Sequence, residues 1–560
     1  MTAIYRILNA RMQTLAQVVV VVLACQEMLS QWGLATGMQE VKQEATQIQN
    51  RFKAFARSLR LLRGEPPLKG KVNLMHKDVV QELWMEQQLD HFDERNNKTW
   101  LMRYFRNDHY FQPKGPIFIF VGGEWEITPT YLLTGHMHDI ARQHNGMLYY
   151  VEHRFYGRSW PLGDAGVVNL KYLSSRQALA DLAHFIQQLK FSEVELAKSK
   201  IILTGASYSA SLVAWFARLY PNLMSAGWAS SAPLLAKVDF YEYMQQVGNV
   251  IQHRGGHKCT ERLEAGLERI ATLLESSNAS KLLQALRICN NFKTTNQLDR
   301  AALFNGIGNY FAAYAQLYDD QVSSICATLI TATADANDLT AFIQFIMQIF
   351  WPEALERTQS EDWCIDLSYA GMKSIFADDT DQLSGTRQWF YQSCHEFGWF
   401  ATTASSKNAW SNSGNSNNGS HNIRPKDIRQ AALRRRHEQP PTLAYSFGHQ
   451  VPLNYFQQLC RDVFDPLATG GDDISTSVQQ TNKHFGGLTA AAITLQQRVI
   501  FTHGQLDPWR VVGLQEGNNV IMIPDYSHTA DLDSINFDDA VEMNVAKLKV
   551  AAFLRRALRT

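Results

Sequence analysis

Apolar and polar positions along the chain follow two different rhythms. Short apolar runs of strand length, Pro116 to Val121 (PIFIFV), Met147 to His153 (MLYYVEH) and Lys200 to Gly205 (KIILTG), alternate with stretches whose apolar residues recur at helical spacing, such as Ser174 to Leu189. Parallel neighbours need a crossover, usually a helix, so this alternation predicts a parallel sheet. After Met224 to Phe240 the rhythm gives way to long helical patterns, among them RLEAGLERIATLLE and AFIQFIMQIFW, that run to about residue 440. Two further strand-like runs follow, within Gln497 to Trp509 and Asn518 to His528, and a helical pattern from about Asp538 to Leu558 closes the chain. The expected architecture is α/β, with a helical domain inserted into the sheet-forming chain.

The N-terminal pattern differs from both. Arg6 and Arg11 precede an apolar run from Leu15 to Gln26 that is short for a bilayer span, which reads as a signal peptide over residues 1–30. Residues 31–80 read as a leader, helical in spacing from Met38 to Leu62 and broken by GEPPLKGK. The expected division of the rest is a sheet domain over 81–240 and 441–560, interrupted by the helical insertion over 241–440. Thr402 to Asn422 is polar and of low complexity, a surface loop.

Composition narrows the class. The 560 residues are 45% hydrophobic, enough for a substantial core, and Lys+Arg and Asp+Glu both number 53, so no bulk attraction to nucleic acid or to an anionic membrane is expected. No later segment reads as membrane-spanning. Of seven cysteines, Cys25 lies in the signal and six remain: Cys259, Cys289, Cys326, Cys364, Cys394 and Cys460. None has C-x-x-C spacing, so three disulfides in an oxidising compartment are expected, with all 15 pairings open. Sequons at Asn97, Asn278 and Asn418 fit the same secretory route.

Candidate chemistry lies where loops leave the ends of the predicted strands. Ser207, in the small-residue turn GASYSA, follows the strand ending near Thr204; Asp507 and His528 follow the two late strands. A serine hydroxyl is a weak nucleophile until an imidazole takes its proton, and that imidazole needs a carboxylate to fix its tautomer. The order Ser, Asp, His is that of the α/β-hydrolase triad, with Ser207 as nucleophile, His528 as base and Asp507 as its orienting acid. Oxyanion donors are expected from the backbone N–H of Tyr208 and from Gly123 in VGGEWEI. His503 is expected to pack or bond locally, and Asp525, Asp531 and Asp533 to be solvated charges or helix caps. No metal or organic cofactor is implied.

The stretches QQLDHFDERNNKTWLMRYF, IFIFVGGEWEI, YYVEHRFYGRSWPLGD, GASYSASLVAWFARLYPNLMSAGWASSAPL, RQWFYQSCHEFGWF, GQLDPW and YSHTADL resemble the serine peptidases that include lysosomal Pro-X carboxypeptidase, dipeptidyl peptidase II and thymus-specific serine protease. SSAPLLAKVDFYEYMQQVG and FGHQVPLNYFQQLCRDVFDP resemble the thymus-specific branch most. The resemblance implies an α/β-hydrolase fold with an inserted, disulfide-stapled helical cap, a triad on Ser207, Asp507 and His528, and short peptides as substrates. It further implies exopeptidase action with a post-proline preference, in the secreted fluid or an endosomal or lysosomal lumen, and keeps a homodimer among the candidate partners. Ala206 and Ala210 stand at two elbow positions where the family usually has Gly, Trp125 replaces the last Gly of the family's Gly-Gly/Asn-Glu-Gly loop after the early strand, and Thr529 stands where many relatives have Cys. These departures define a second reading, a hydrolase-fold peptide-binding protein with impaired catalysis.

Overall fold

Eight strands pair in one sheet in the order β1-β2-β4-β3-β5-β6-β9-β10: β1 (Val80–Gln88), β2 (Thr99–Asn107), β3 (Ile117–Val121), β4 (Met147–Val151), β5 (Ile201–Ala206), β6 (Ala226–Ser230), β9 (Val499–Gly504) and β10 (Val520–Ile523). These belong to a computed structural model that describes residues 62, 64–68, 79–333, 339–350, 364–380, 384–403, 447–465, 474–488, 495 and 497–559. β2 runs antiparallel to both β1 and β4, and all other neighbours are parallel. The order is that of an α/β-hydrolase sheet.

Every residue of β3, β4, β5, β6 and β9 is buried, as strands covered on both faces require. Alternation along β3 sorts its side chains between two cores. Ile117, Ile119 and Val121 join the core shared with α1 (Ser175–Ser192) and α2 (Tyr208–Leu219), while Phe118 and Phe120 join the one that holds Val550, Phe553 and Leu554 of the C-terminal helix Val541–Arg559. Ser174 caps α1, its side chain accepting from the Gln177 N–H at 3.2 Å.

Among the described residues the span between β6 and β9 is mainly helical, including α3 (Tyr241–Gly255) and α4 (Gln297–Leu317), and carries a two-stranded parallel pair of β7 (Lys237–Asp239) and β8 (Gly398–Phe400). The six cysteines pair as Cys259–Cys326, Cys289–Cys364 and Cys394–Cys460. The last bond ties helix Leu453–Phe464 to the rest of the span, as does the Tyr369 hydroxyl donating to Asp462 at 3.0 Å.

Two features of the sheet go beyond the sequence reading. β1 and β2 form an antiparallel edge, β1 with only one buried side chain, and β6, whose sequence AGWAS lacks β-branched residues, is a central strand paired in parallel with β5 on one side and β9 on the other. The presumed signal, most of the leader, the low-complexity stretch from residue 404 and Asn418 lie outside the described residues; Asn97 and Asn278 are exposed. Among the described residues no helix is long and apolar enough to cross a membrane.

Candidate active site

β5 ends in a strained turn at Ser207, which has φ 54° and ψ −129° immediately before α2 begins. The turn is tight enough that a Cβ on Gly205 would lie 2.4 Å from the Ser209 carbonyl oxygen, so only glycine fits there. Ala206 and Ala210 are accommodated, both fully buried. Ser209 closes the turn: its hydroxyl accepts from the Ala206 N–H and donates to the Ala206 carbonyl, both at 2.9 Å. A serine here therefore has a structural use where the strict motif has glycine.

Asp507 leaves β9 and caps the short helix Pro508–Val512, its Oδ1 accepting from the Trp509 N–H at 2.8 Å. The same oxygen lies 2.8 Å from His528 Nδ1, which therefore carries the proton and leaves Nε2 as the acceptor. Both side chains are buried. Burial alone would raise the Asp507 carboxyl, but His528 and His503 outweigh it and hold the acid well below the usual carboxylate range. His528 Nε2 has no hydrogen-bond partner, so the link to Ser207 is not closed in this structure.

The end of β6 brings the three loops together. The Ser230 carbonyl accepts from the Ser207 N–H at 2.9 Å, and the Ser231 hydroxyl accepts from the Thr529 N–H at 2.9 Å, next to His528. The helical span holds the same loops from the other side through Gln316 of α4. Its carbonyl accepts from the His528 N–H at 3.2 Å, and its Oε1 accepts from Trp509 Nε1 at 2.8 Å and from the Tyr243 hydroxyl at 2.7 Å. Nothing in the residue pattern singles out Gln316, because each of these partners is distant in sequence or lies on another helix.

Tyr208 is the first residue of α2, where backbone N–H groups lack intrahelical acceptors. Gly123 lies in the loop after β3, which Glu152 anchors by accepting from the Ile127 N–H at 3.1 Å. Trp125 folds back under that loop, with its ring 2.6 Å from where a Cβ on Gly123 would sit and its Nε1–H donating to the Tyr150 hydroxyl at 2.7 Å. Its bulk therefore fills the core, where it is 4% exposed.

Beneath the turn the Tyr208 hydroxyl meets His153 Nε2 at 3.1 Å, the Ser175 hydroxyl at 3.0 Å and Gln392 Nε2 at 3.0 Å. Glu396 extends this network, accepting from the Ser175 N–H at 2.9 Å and from Gln392 Nε2 at 3.0 Å. Burial pushes Glu396 up to about 7 and His153 down to about 4, so each favours its neutral form.

His503 is fully buried beside Asp507. Asp525 is exposed and paired with His253. Asp531, expected as a solvated charge or cap, is instead 3% exposed and accepts from the Ser230 hydroxyl at 2.6 Å. Among the described residues no cluster of His, Cys, Asp or Glu has metal-binding form. A cavity of about 740 Å³ lined by Glu275, Arg300, Gln450 and Arg461 lies in the helical span, and none of Ser207, Asp507 and His528 lines it.

The chain matches the family model described as serine carboxypeptidase S28 over residues 87–418 and 442–550. Thymus-specific serine protease of Mus musculus is 27% identical over 499 residues, 86% of this chain and 88% of its own. Its Homo sapiens counterpart is 27% identical over 497 residues, 85% and 86% of the two chains. Lysosomal Pro-X carboxypeptidase of Homo sapiens is 33% identical over 216 residues, 37% of this chain and 43% of its own. With most of its length matched, the chain belongs to the serine carboxypeptidase S28 family and is a serine-type peptidase.

Proposed function

We propose that the chain hydrolyses short peptides through an acyl-enzyme on Ser207, acting near a peptide terminus and preferentially after proline. The observation that carries the reading is the buried pair of His528 Nδ1 and Asp507 Oδ1 at 2.8 Å, with Nε2 left as acceptor on the same edge of the sheet as the Ser207 turn. Ser207 Oγ attacks the peptide carbonyl carbon as its proton passes to His528 Nε2, and Asp507 stabilises the imidazolium. The N–H groups of Tyr208 and Gly123 take the developing oxyanion. The C–N bond breaks as His528 returns the proton to the leaving amine. Water, deprotonated by His528, then cleaves the ester and restores Ser207.

Terminus and proline preferences are supported by the name of the Pro-X carboxypeptidase relative, and the helical span, as a cap over residues 241–440, would limit access to short substrates. Three disulfides and the lysosomal relative support a secretory or lysosomal location. A peptide-library digest read by mass spectrometry tests the proposal: products should lose residues from one terminus, mostly beside proline, and Ser207→Ala should yield none. Evenly spread internal cuts would overturn the exopeptidase reading, and turnover by Ser207→Ala would overturn the nucleophile. The open Ser207–His528 link favours one other reading, peptide binding without hydrolysis, which saturable binding with no products would establish.

A further inference from the structure

His503 is the penultimate residue of β9, with its side chain fully buried, and its Nδ1 lies 3.7 Å from Asp507 Oδ2. Three buried polar atoms at this spot, His503 Nδ1, His503 Nε2 and Asp507 Oδ2, have no hydrogen-bond partner. Buried polar groups in folded proteins are nearly always paired, so this concentration of orphans beside the acid calls for a reason. The far edge of the imidazole cannot retreat. A Cβ on Gly513 would lie 2.4 Å from His503 Cε1 and 2.6 Å from Nε2, so the ring already fills the space that glycine leaves. A short movement toward the carboxylate, by less than about 1 Å from the 3.7 Å separation, brings Nδ1 and Oδ2 into hydrogen-bond range.

We propose that His503 is a second imidazole partner of Asp507, a positioning residue that donates its Nδ1–H to Oδ2 while His528 holds Oδ1. The inference rests on the proposed role of Asp507 as the acid that orients His528. With a donor on each oxygen the carboxylate cannot rotate about its Cβ–Cγ bond without losing a partner. Oδ1 is therefore held toward His528 Nδ1 throughout the proton transfers, and Nε2 stays aimed at one place. His503 touches no substrate and acts only through Asp507. Its neighbours fit this use: the Asp507 carboxyl, held well below its usual range, remains an acceptor for both rings.

The two amide side chains separate this role from packing. Asparagine places its Nδ2 near the position of the imidazole Nδ1, whereas glutamine reaches toward the Nε2 position against Gly513, and leucine fills space without a donor. His503→Asn should keep kcat within about threefold of the parent. His503→Gln and His503→Leu should lower kcat roughly ten- to a hundredfold, the loss expected for one hydrogen bond to a charged group, with KM within twofold. Leucine with unchanged kcat, or asparagine as impaired as leucine, would overturn the proposal. A second readout does not need turnover or the leucine variant. In the full chain with 15N-labelled histidine, the Nδ1–H resonance missing from His503→Asn should shift in Asp507→Asn; an unmoved resonance would overturn the contact. A parent protein that neither cleaves peptides nor reacts with a fluorophosphonate would instead sink the proposed function, and the resonance shift would still decide whether His503 and Asp507 are paired.

Discussion

The sheet and the helical span between β6 and β9 are held together by different means. From β1 through β6, and again from β9 to the C-terminal helix, there is no cysteine; the strands form one continuous ladder whose central members are wholly buried. The helical span holds all three disulfides, closing loops with sequence separations of 67, 75 and 66 residues. The difference separates two tasks. Ser207, Asp507 and His528 all follow sheet strands, where the backbone positions them, whereas the helical span reaches that edge through a few side chains, Gln316 and Glu396 among them. Changes on the sheet edge should abolish chemistry, and changes in the span should tune it.

The largest expected effect is on the sheet side. Asp507→Asn should lower kcat by roughly 10⁴-fold, because the amide favours the wrong imidazole tautomer. Asparagine is as good a helix cap as aspartate, so the melting temperature should stay close to the parent's. A steady-state assay beside a thermal melt checks both, and a drop in kcat smaller than tenfold would mean that another group orients His528.

Next comes the span. In the chain-entropy account, each of its disulfides closes a loop long enough to stabilise the fold by about 4 kcal/mol. Reduction should therefore loosen the span first. Hydrogen exchange followed by mass spectrometry should show early loss of protection in α3 and α4, while β3, β5 and β6 stay protected. Simultaneous loss in both regions would make the molecule a single cooperative unit.

A single joint between the regions should matter less. Gln316→Leu strands the Trp509 indole N–H and the Tyr243 hydroxyl in a buried setting, which should cost about 2–3 kcal/mol of stability and lower kcat roughly tenfold. The substitution leaves the backbone carbonyl that accepts from His528 in place, so activity should fall without vanishing. Stability and kcat measured together would show whether the joint acts on the site or only on the fold.

The smallest effect is the pH response of Glu396. Its carboxyl is raised from an ordinary 4.5 to about 7, so between those values the folded chain keeps a proton that the unfolded chain has released. Its contribution to stability is fully present below about pH 4.5 and is lost as pH rises through about 7. Glu396→Gln should therefore gain stability relative to the parent from pH 4.5 to pH 8, by roughly 2 kcal/mol once residual exposure is allowed for. Denaturant midpoints across that range check the sign; a gap that narrows or stays flat would remove Glu396 from the balance.

How far these features can be read from residues alone depends on the range of the interaction. Ser207, Asp507 and His528 each stand just past an apolar run, so strand ends locate them without knowledge of the fold. β1 is mostly exposed or half-buried and β6 is built from small residues around Trp228, so neither carries the apolar signature of the central strands; their neighbours make them strands. Asp531 reads as a surface charge because nothing nearby in sequence pairs with it, yet its partner Ser230 lies 301 positions away. Gln316 is hidden for the same reason, and so is the contact of Glu396 with Ser175, 221 positions away: both are polar residues within helical patterns whose distant partners arrive only when the chain closes on itself.

The measurement that bears most directly on the division between sheet and span is the site of covalent capture. The parent protein, treated with a fluorophosphonate and digested, should carry one adduct, on the peptide that contains Ser207, and His528→Ala should suppress it. An adduct on a serine of the helical span, or no adduct on protein that melts cooperatively, would contradict the account.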